Sequence, residues 1–403
     1  MIHSFSCKNF CSFNDLVEVS FAVNDKAPDN NGYFRTPAGV RLSKAETIIG
    51  PNASGKTNLL KVIPFLKWLI VDSFNVNPMA PIPVQPFKFG DSKNKPTELS
   101  VVFEMDSEIY LYEFSLNNLK ILAEKLKIKS KSKERLTYKT IFTRIWDDKN
   151  NRYSFDGHNF SVPKNFENLL RSNASVIALA SRLNHKLSQN ISQYWQRIET
   201  NVNESGWIGN SLLPKPDTRL LETLDFYSDN GEIKKKAEKL LSRFDLGLEA
   251  FDIKKEKREN NLTINVQVVH SIDGQKFYLP IQYESAGTMQ LFILLKSILR
   301  ALESGGIVIW DEFDTSLHPE MVSVLYDLFV NSETNPNNAQ LLFSTHSLSI
   351  LSNLDKYQVV FTEKDAKGKS ESWRLDEVTG VRPDDNYYSK YMAGTYGATP
   401  KIN

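Results

Sequence analysis

A chain of 403 residues, 41% hydrophobic and 24% charged, has the composition of an ordinary soluble protein, with core enough for two or three domains or one large α/β unit. Forty-nine basic residues against 48 acidic ones leave a net charge of +1, so no global field draws the chain to nucleic acid or membrane. Its two cysteines, Cys7 and Cys11, cannot build a disulfide framework and lack the second pair of a structural zinc; the absence of any membrane-length apolar run and the charges Lys8, Asp15 and Glu18 near the start make a reducing cytoplasm the expected setting.

In chain order, Ile2 to Phe10 and Leu16 to Phe21 alternate as a hairpin. The apolar run Thr47-Ile48-Ile49 then enters Gly50-Pro51-Asn52-Ala53-Ser54-Gly55-Lys56-Thr57, which fits G-x-x-x-x-G-K-[ST]. That pattern is a phosphate-binding loop and places a nucleoside triphosphate in the protein. Gly50 and Gly55 let the backbone fold tightly, so that successive N–H groups converge on phosphate oxygens. The expected contacts are Asn52, Ala53, Ser54, Gly55, Lys56, Thr57 and Asn58; Lys56 reaches the β- and γ-phosphates and the Thr57 hydroxyl binds Mg²⁺. Leu59, Leu60, Ile63 and Leu66 recur at helical spacing over Thr57 to Leu69, so a helix N-terminus faces the anion.

The prolines of Asn77-Pro78-Met79-Ala80-Pro81-Ile82-Pro83 stop helix and central strand alike. Thr97 to Met105 and Glu108 to Leu116 read as strands around a Met105-Asp106-Ser107 turn, and residues 137–155 as further β-structure. Between them Lys125, Lys127, Lys129, Lys131, Lys133 and Arg135 recur at every second position, which on a strand puts all six on one face. Such a ribbon either tracks a phosphate backbone or forms a solvated face that protects a sheet edge. Residues 164–205 read as helices of moderate length, including Ile191, Tyr194, Trp195 and Ile198, and Gly231 to Phe244 as another with Lys234-Lys235-Lys236 on its polar side. No heptad pattern is sustained, which argues against a long coiled coil. Residues 262–269 and 276–282 return to β alternation.

Ile307-Val308-Ile309-Trp310-Asp311-Glu312 is a buried strand ending in two carboxylates, at the end where ligands sit in an open α/β sheet. Asp311 suits the Mg²⁺ shell, and Glu312 suits a general base for an attacking water. Ser285 and Gly287, at the start of a helix running from Met289 to Leu302, offer either a second anion clamp or an ordinary helix cap. Gln340-Leu341-Leu342-Phe343 leads to Ser344-Thr345-His346-Ser347, whose imidazole either reaches a γ-phosphate or is a satisfied loop histidine. No nucleophile elbow accompanies it, which disfavours a Ser-His hydrolase.

The order phosphate loop, S-x-G-T, four apolar residues with DE, S-L-H-P and S-T-H resembles the ABC-type ATPase heads of the SMC/RecF class, over roughly residues 1–90 and 260–400. The tail, with Arg382-Pro383-Asp384-Asp385-Asn386, Tyr391 and Gly394-Thr395-Tyr396-Gly397-Ala398-Thr399-Pro400, resembles bacterial AAA15/AAA21-type ATPases, the RloA-like proteins among them. The resemblance implies an α/β P-loop NTPase head with a mixed, largely parallel sheet, an N-terminal antiparallel β subdomain and a β-plus-helical insertion without long coiled coil. It divides the chain into the first part of the head (1–90), the insertion (91–260) and the second part of the head (261–403). It implies ATP and Mg²⁺, a homodimer or higher homo-oligomer in which two heads sandwich two nucleotides, and catalysis by Glu312 with His346 as switch. Ser285 and Gly287 of one copy would meet the γ-phosphate held by Lys56 and Thr57 of the other, and Asp314 would communicate between the sites. Gln85, in Val84-Gln85-Pro86-Phe87, is the candidate for the glutamine that senses Mg²⁺ beside Thr57 and Asp311. Glu284 departs from the family, where many signatures carry Leu. The resemblance further implies an anti-phage role with a co-encoded effector, such as a Toprim-type nuclease; a RecF-like head gripping DNA directly is the alternative.

Overall fold

The computed structural model describes residues 1–130, 137–202, 216–244, 247–258 and 261–400. The first strands are β1 (Ile2–Lys8), β2 (Val17–Ser20), β3 (Tyr33–Arg35), β4 (Arg41–Ser43) and β5 (Ala45–Ile49). Helices α1 (Lys56–Leu60) and α2 (Val62–Lys67) precede β6 (Thr97–Met105), β7 (Glu108–Leu116), β8 (Ile121–Lys129), β9 (Tyr138–Asp147) and β10 (Arg152–Asp156). Then come α3 (Val176–Arg182), α4 (Lys186–Gln196), β11 (Ile198–Thr200), α5 (Pro216–Asp229), α6 (Gly231–Arg243), β12 (Leu248–Arg258), β13 (Asn261–Ile272) and β14 (Gln275–Pro280). The last part holds α7 (Ala286–Ser304), β15 (Ile307–Trp310), α8 (Pro319–Val330), β16 (Gln340–Ser344), β17 (Val359–Lys364), β18 (Ser370–Arg374) and α9 (Tyr387–Met392).

The apolar runs form the central sheet, in the order β11-β15-β16-β5-β17-β18; all its pairs are parallel except the last. Its inner strands β5, β15 and β16 are buried along their whole length, and so on both faces, whereas the outer strand β18 is mostly half-exposed. Ile48, Ile307, Ile309, Leu342 and Val360 enter one core with α1, α2 and the N-terminal strands. Val308, Trp310, Leu341, Phe343 and Phe361 enter the other, with α7 and α8. An antiparallel sheet, β10-β9-β8-β7-β6-β1-β2, covers the first core, and a three-stranded one, β12-β13-β14, lies beside α7. This is the mixed α/β architecture that the sequence implied, and the strands of the 97–156 region extend the sheet begun by β1 and β2. Among the described residues no helix is long and apolar enough to cross a membrane.

Several expectations need correction. The expected helix from Thr57 to Leu69 is divided at Lys61, because Pro64 has no N–H to give Leu60, and it ends in a π-helical turn at Trp68–Asp72. Ile198 is not helical but begins β11, which pairs with β15. The basic face of β8 guards no sheet edge, since β8 lies between β7 and β9. Lys125, Lys127 and Lys129 do alternate with the more deeply packed Leu126 and Ile128, and Lys127 is paired with Glu113 at 2.7 Å. Lys131, Lys133 and Arg135 lie outside the described residues. Helix α5 and strand β12 had no counterpart in the sequence reading.

Candidate functional site

Four neighbouring parallel strands deliver their carboxyl ends to one place, as this topology dictates. β5 runs into the glycine-rich loop, β15 into Asp311 and Glu312, β16 into Ser344-Thr345-His346, and β17 ends at Lys364. Between them lies a cavity of about 460 Å³, lined by Asn52, Ala53, Gly55, Lys56, Thr57, Asn58, Asp311, Glu312, His346 and Lys364.

The loop has the shape its glycines permit. A Cβ on Gly50 would stand 2.2 Å from Thr362 O, so only glycine fits between β5 and β17. Ala53 and Gly55 both have positive φ, 61° and 119°, which turns successive N–H groups inward. No side chain caps the start of α1. Ser54 faces inward, its Oγ 2.7 Å from Thr362 Oγ1, while its carbonyl accepts from Ser370 Oγ at 2.6 Å. Lys56 Nζ donates to Gly50 O (2.8 Å) and Pro51 O (3.1 Å) across the loop. Burial holds this ammonium below its usual range, opposed by the carboxylates of Asp311, Glu312 and Asp314.

Ser344 organises the acids. Its Oγ donates to Asp311 Oδ1 (2.5 Å) and accepts from Glu312 N (2.8 Å). Asn201, just past β11, brackets Asp311 from the other side: its Nδ2 donates to Asp311 O (2.8 Å) and its Oδ1 accepts from Asp311 N (2.7 Å). Arg219 of α5 in turn donates to Asn201 O at 2.6 Å. Glu312 has φ of 51°, a strained value for a residue with a Cβ, and its Oε2 accepts from Thr315 Oγ1 at 3.2 Å. That turn leaves the Glu312 side chain exposed at the cavity wall.

The donor set suits a magnesium triphosphate. It pairs an exposed threonine hydroxyl and a fixed aspartate with a lysine and a nest of backbone N–H groups. Thr57 and Asp311 are the residues that would hold the ion.

Other expected residues stand elsewhere. Asp314 lies behind His346, accepting from its backbone N at 3.1 and 3.2 Å through its two carboxylate oxygens. Ser285 caps α7, accepting from Thr288 N at 3.0 Å, and is exposed. A Cβ on Gly287 would approach Ser316 O to 2.7 Å, so the α7 tip packs directly on the turn after Glu312. Neither Ser285 nor Gly287 lines the cavity of its own chain. Nor does Gln85, whose carbonyl accepts from Cys11 N at 2.7 Å beside β1. Asn201 and Lys364 went unforeseen: Lys364 ends a strand whose last residues, Thr362-Glu363-Lys364, are polar, and Asn201 carries no motif.

A family model described as "AAA domain, putative AbiEii toxin, Type IV TA system" matches residues 47–352. Among solved structures, an SMC head bound to the C-winged helix domain of ScpA is 16% identical, with 94% of this chain and 99% of that one covered and a TM-score of 0.50. A Pyrococcus furiosus Smc head with an extended coiled coil, bound to the C-terminal domain of ScpA, is 14% identical over 93% and 97% of the two chains, with a TM-score of 0.49. At such identity the first of these shows a shared fold. No curated protein matches the sequence.

Proposed function

The chain belongs to the AAA-domain family described as a putative AbiEii toxin of a type IV TA system, and from that premise we propose an ATPase whose two copies close over ATP to control an associated effector. One observation carries the reading. Lys56, Thr57, Asp311, Glu312 and His346 share a cavity, while the exposed Ser285 tip stands outside it and is free to meet the cavity of a second copy.

In this reading Lys56 and the loop N–H groups grip the β- and γ-phosphates, and His346 stands at the γ-phosphate. Mg²⁺, held by Thr57 and Asp311, supplies charge neutralisation when bound. Glu312 takes the proton of the attacking water, its backbone fixed by Ser344. Closure by Ser285 and Gly287 of a second copy excludes bulk water, and hydrolysis reopens the pair, at a rate limited by that gating. The family description supports a place in a toxin–antitoxin system; the anti-phage role and the co-encoded effector, such as a Toprim-type nuclease, rest on the resemblance of the tail alone.

Glu312→Gln should lower kcat by about 10²-fold or more while ATP accumulates a closed dimer, and Lys56→Ala should abolish nucleotide binding. Light scattering with and without ATP, beside phosphate release, reads both. Normal turnover by Glu312→Gln would remove Glu312 as the base. Copurification of the product of the adjacent gene, with and without ATP, tests the effector. A direct grip on DNA would use the face shared by Lys125, Lys127 and Lys129, of which Lys127 is already paired with Glu113; it requires the loss of Lys125 or of Lys129 to reduce the salt slope of binding by about one.

A further inference from the structure

The residue ahead of Ser285 is tied down. Glu284 Oε1 accepts from His270 Nε2 at 2.7 Å, and the two side chains are only 9% and 15% exposed. His270 belongs to β13, and its Nδ1 lies 3.1 Å from Gly247 O, in the turn ahead of β12. The imidazole thus lies between three segments, Gly247 ahead of β12, β13 and the turn that starts α7, and its Nε2–H ties β13 to Glu284. Glu284 N also donates to Ile281 O at 3.1 Å, so little slack remains between β14 and Ser285. The same sheet packs on α7 through Phe251 against Phe292, with ring centres 4.3 Å apart. Phe251 N donates to Glu238 of α6 at 2.8 Å, which fixes β12 in turn.

A mostly buried carboxylate next to the helix tip is costly unless partnered, and His270 is that partner. We infer that the His270–Glu284 contact sets where Ser285 and Gly287 stand, which makes His270 a positioning residue for the γ-phosphate contact completed by a second copy. The inference rests on the composite-site reading above. Its signature is action in trans: removing His270 spoils the nucleotide site of the other copy and leaves the cavity of its own chain intact. A misplaced contact of this kind costs between about ten- and a hundred-fold in turnover.

The test mixes full-length variants. His270→Ala alone should lose about ten-fold or more of kcat, with affinity for a fluorescent ATP analogue unchanged. Mixed with the inactive Lys56→Ala, it should regain turnover, because the mixed dimer holds one site with Lys56 from one copy and an intact α7 tip from the other. Ser285→Arg mixed with Lys56→Ala serves as reference for the composite site itself. If that reference regains turnover and the His270→Ala mixture does not, or if His270→Ala alone turns over normally, the inference is overturned and the composite site stands. If the reference mixture stays inactive, the composite site falls and the inference with it. Should His270→Ala fail to melt cooperatively, Glu284→Ala removes the other half of the contact and enters the same mixtures with the same expectations.

Discussion

Glu46 stands four residues ahead of the glycine-rich loop with both carboxylate oxygens buried and without a hydrogen-bond partner. Burial pushes its carboxyl well above the ordinary value of 4.5, Arg374 pulls it back, and Asp355 and Asp376 push it further up. The sign follows from linkage: the folded state holds the proton more tightly, so its stability is greatest below the unfolded value and declines as pH rises towards the raised one. The loss is at most about 1.4 kcal/mol per pH unit within that window. Glu46→Gln should therefore flatten the profile. Thermal melts of the two proteins should nearly coincide near pH 4.5 and separate towards pH 8, with the glutamine form higher; a constant gap across that range would refute the assignment. The glutamate was not legible as anything but a strand residue, because its isolation depends on what Tyr33, Asp355 and Arg374 bring from distant segments. The phosphate-loop residues, by contrast, stood out because phosphate geometry imposes residue types at fixed spacing within one turn. Asp311, Glu312 and His346 were readable for a related reason: each follows an apolar run of strand length.

The elements that escaped notice are those held by partners rather than by their own pattern. Strand β11 is three residues long, and its pairing with β15 decides its conformation; without it Asn201 would not reach Asp311. Strand β12 carries Lys254, Lys255, Glu256, Lys257 and Arg258, too polar for an alternation to show, and its register against β13 supplies what its sequence does not. In the seven-stranded sheet the informative feature is a charge pair. Arg144 of β9 and Glu124 of β8 meet at 2.6 Å, both side chains 0% exposed. Glu124 also accepts from Tyr112 OH (2.5 Å) and from Val176 N (2.8 Å), the first residue of α3. Removing one charge of such a pair costs about 3–5 kcal/mol, so Arg144→Met should show that loss in urea denaturation. Replacing both members by apolar residues should not restore stability here, since the Tyr112 hydroxyl and the start of α3 would lose their acceptor. Full recovery in the Glu124→Leu, Arg144→Met double variant would show those two hydrogen bonds to be dispensable.

At the level of the whole molecule, the central sheet places the loop, both acids and His346 at one end, while α7 carries Ser285 outward from the turn beside Ser316. In the proposed reading the α7 tip of one copy completes the cavity of the other, and two identical copies would close as an isologous pair. Order of reaction separates this from a self-sufficient site. Well below the dimer dissociation constant, the concentration of pairs rises with the square of chain concentration and the paired fraction in proportion to it, so turnover per chain should climb in proportion to concentration and level off once pairing is complete. A self-sufficient site would give constant turnover per chain over the same dilution. Glu312→Gln, by letting ATP accumulate in the closed pair, should shift the midpoint of ATP-dependent pairing to lower concentration in light scattering. Lys56→Ala should show no such pairing at any concentration reached. Constant turnover per chain on dilution through that midpoint would show that α7 does not complete the site, whatever else Ser285 does.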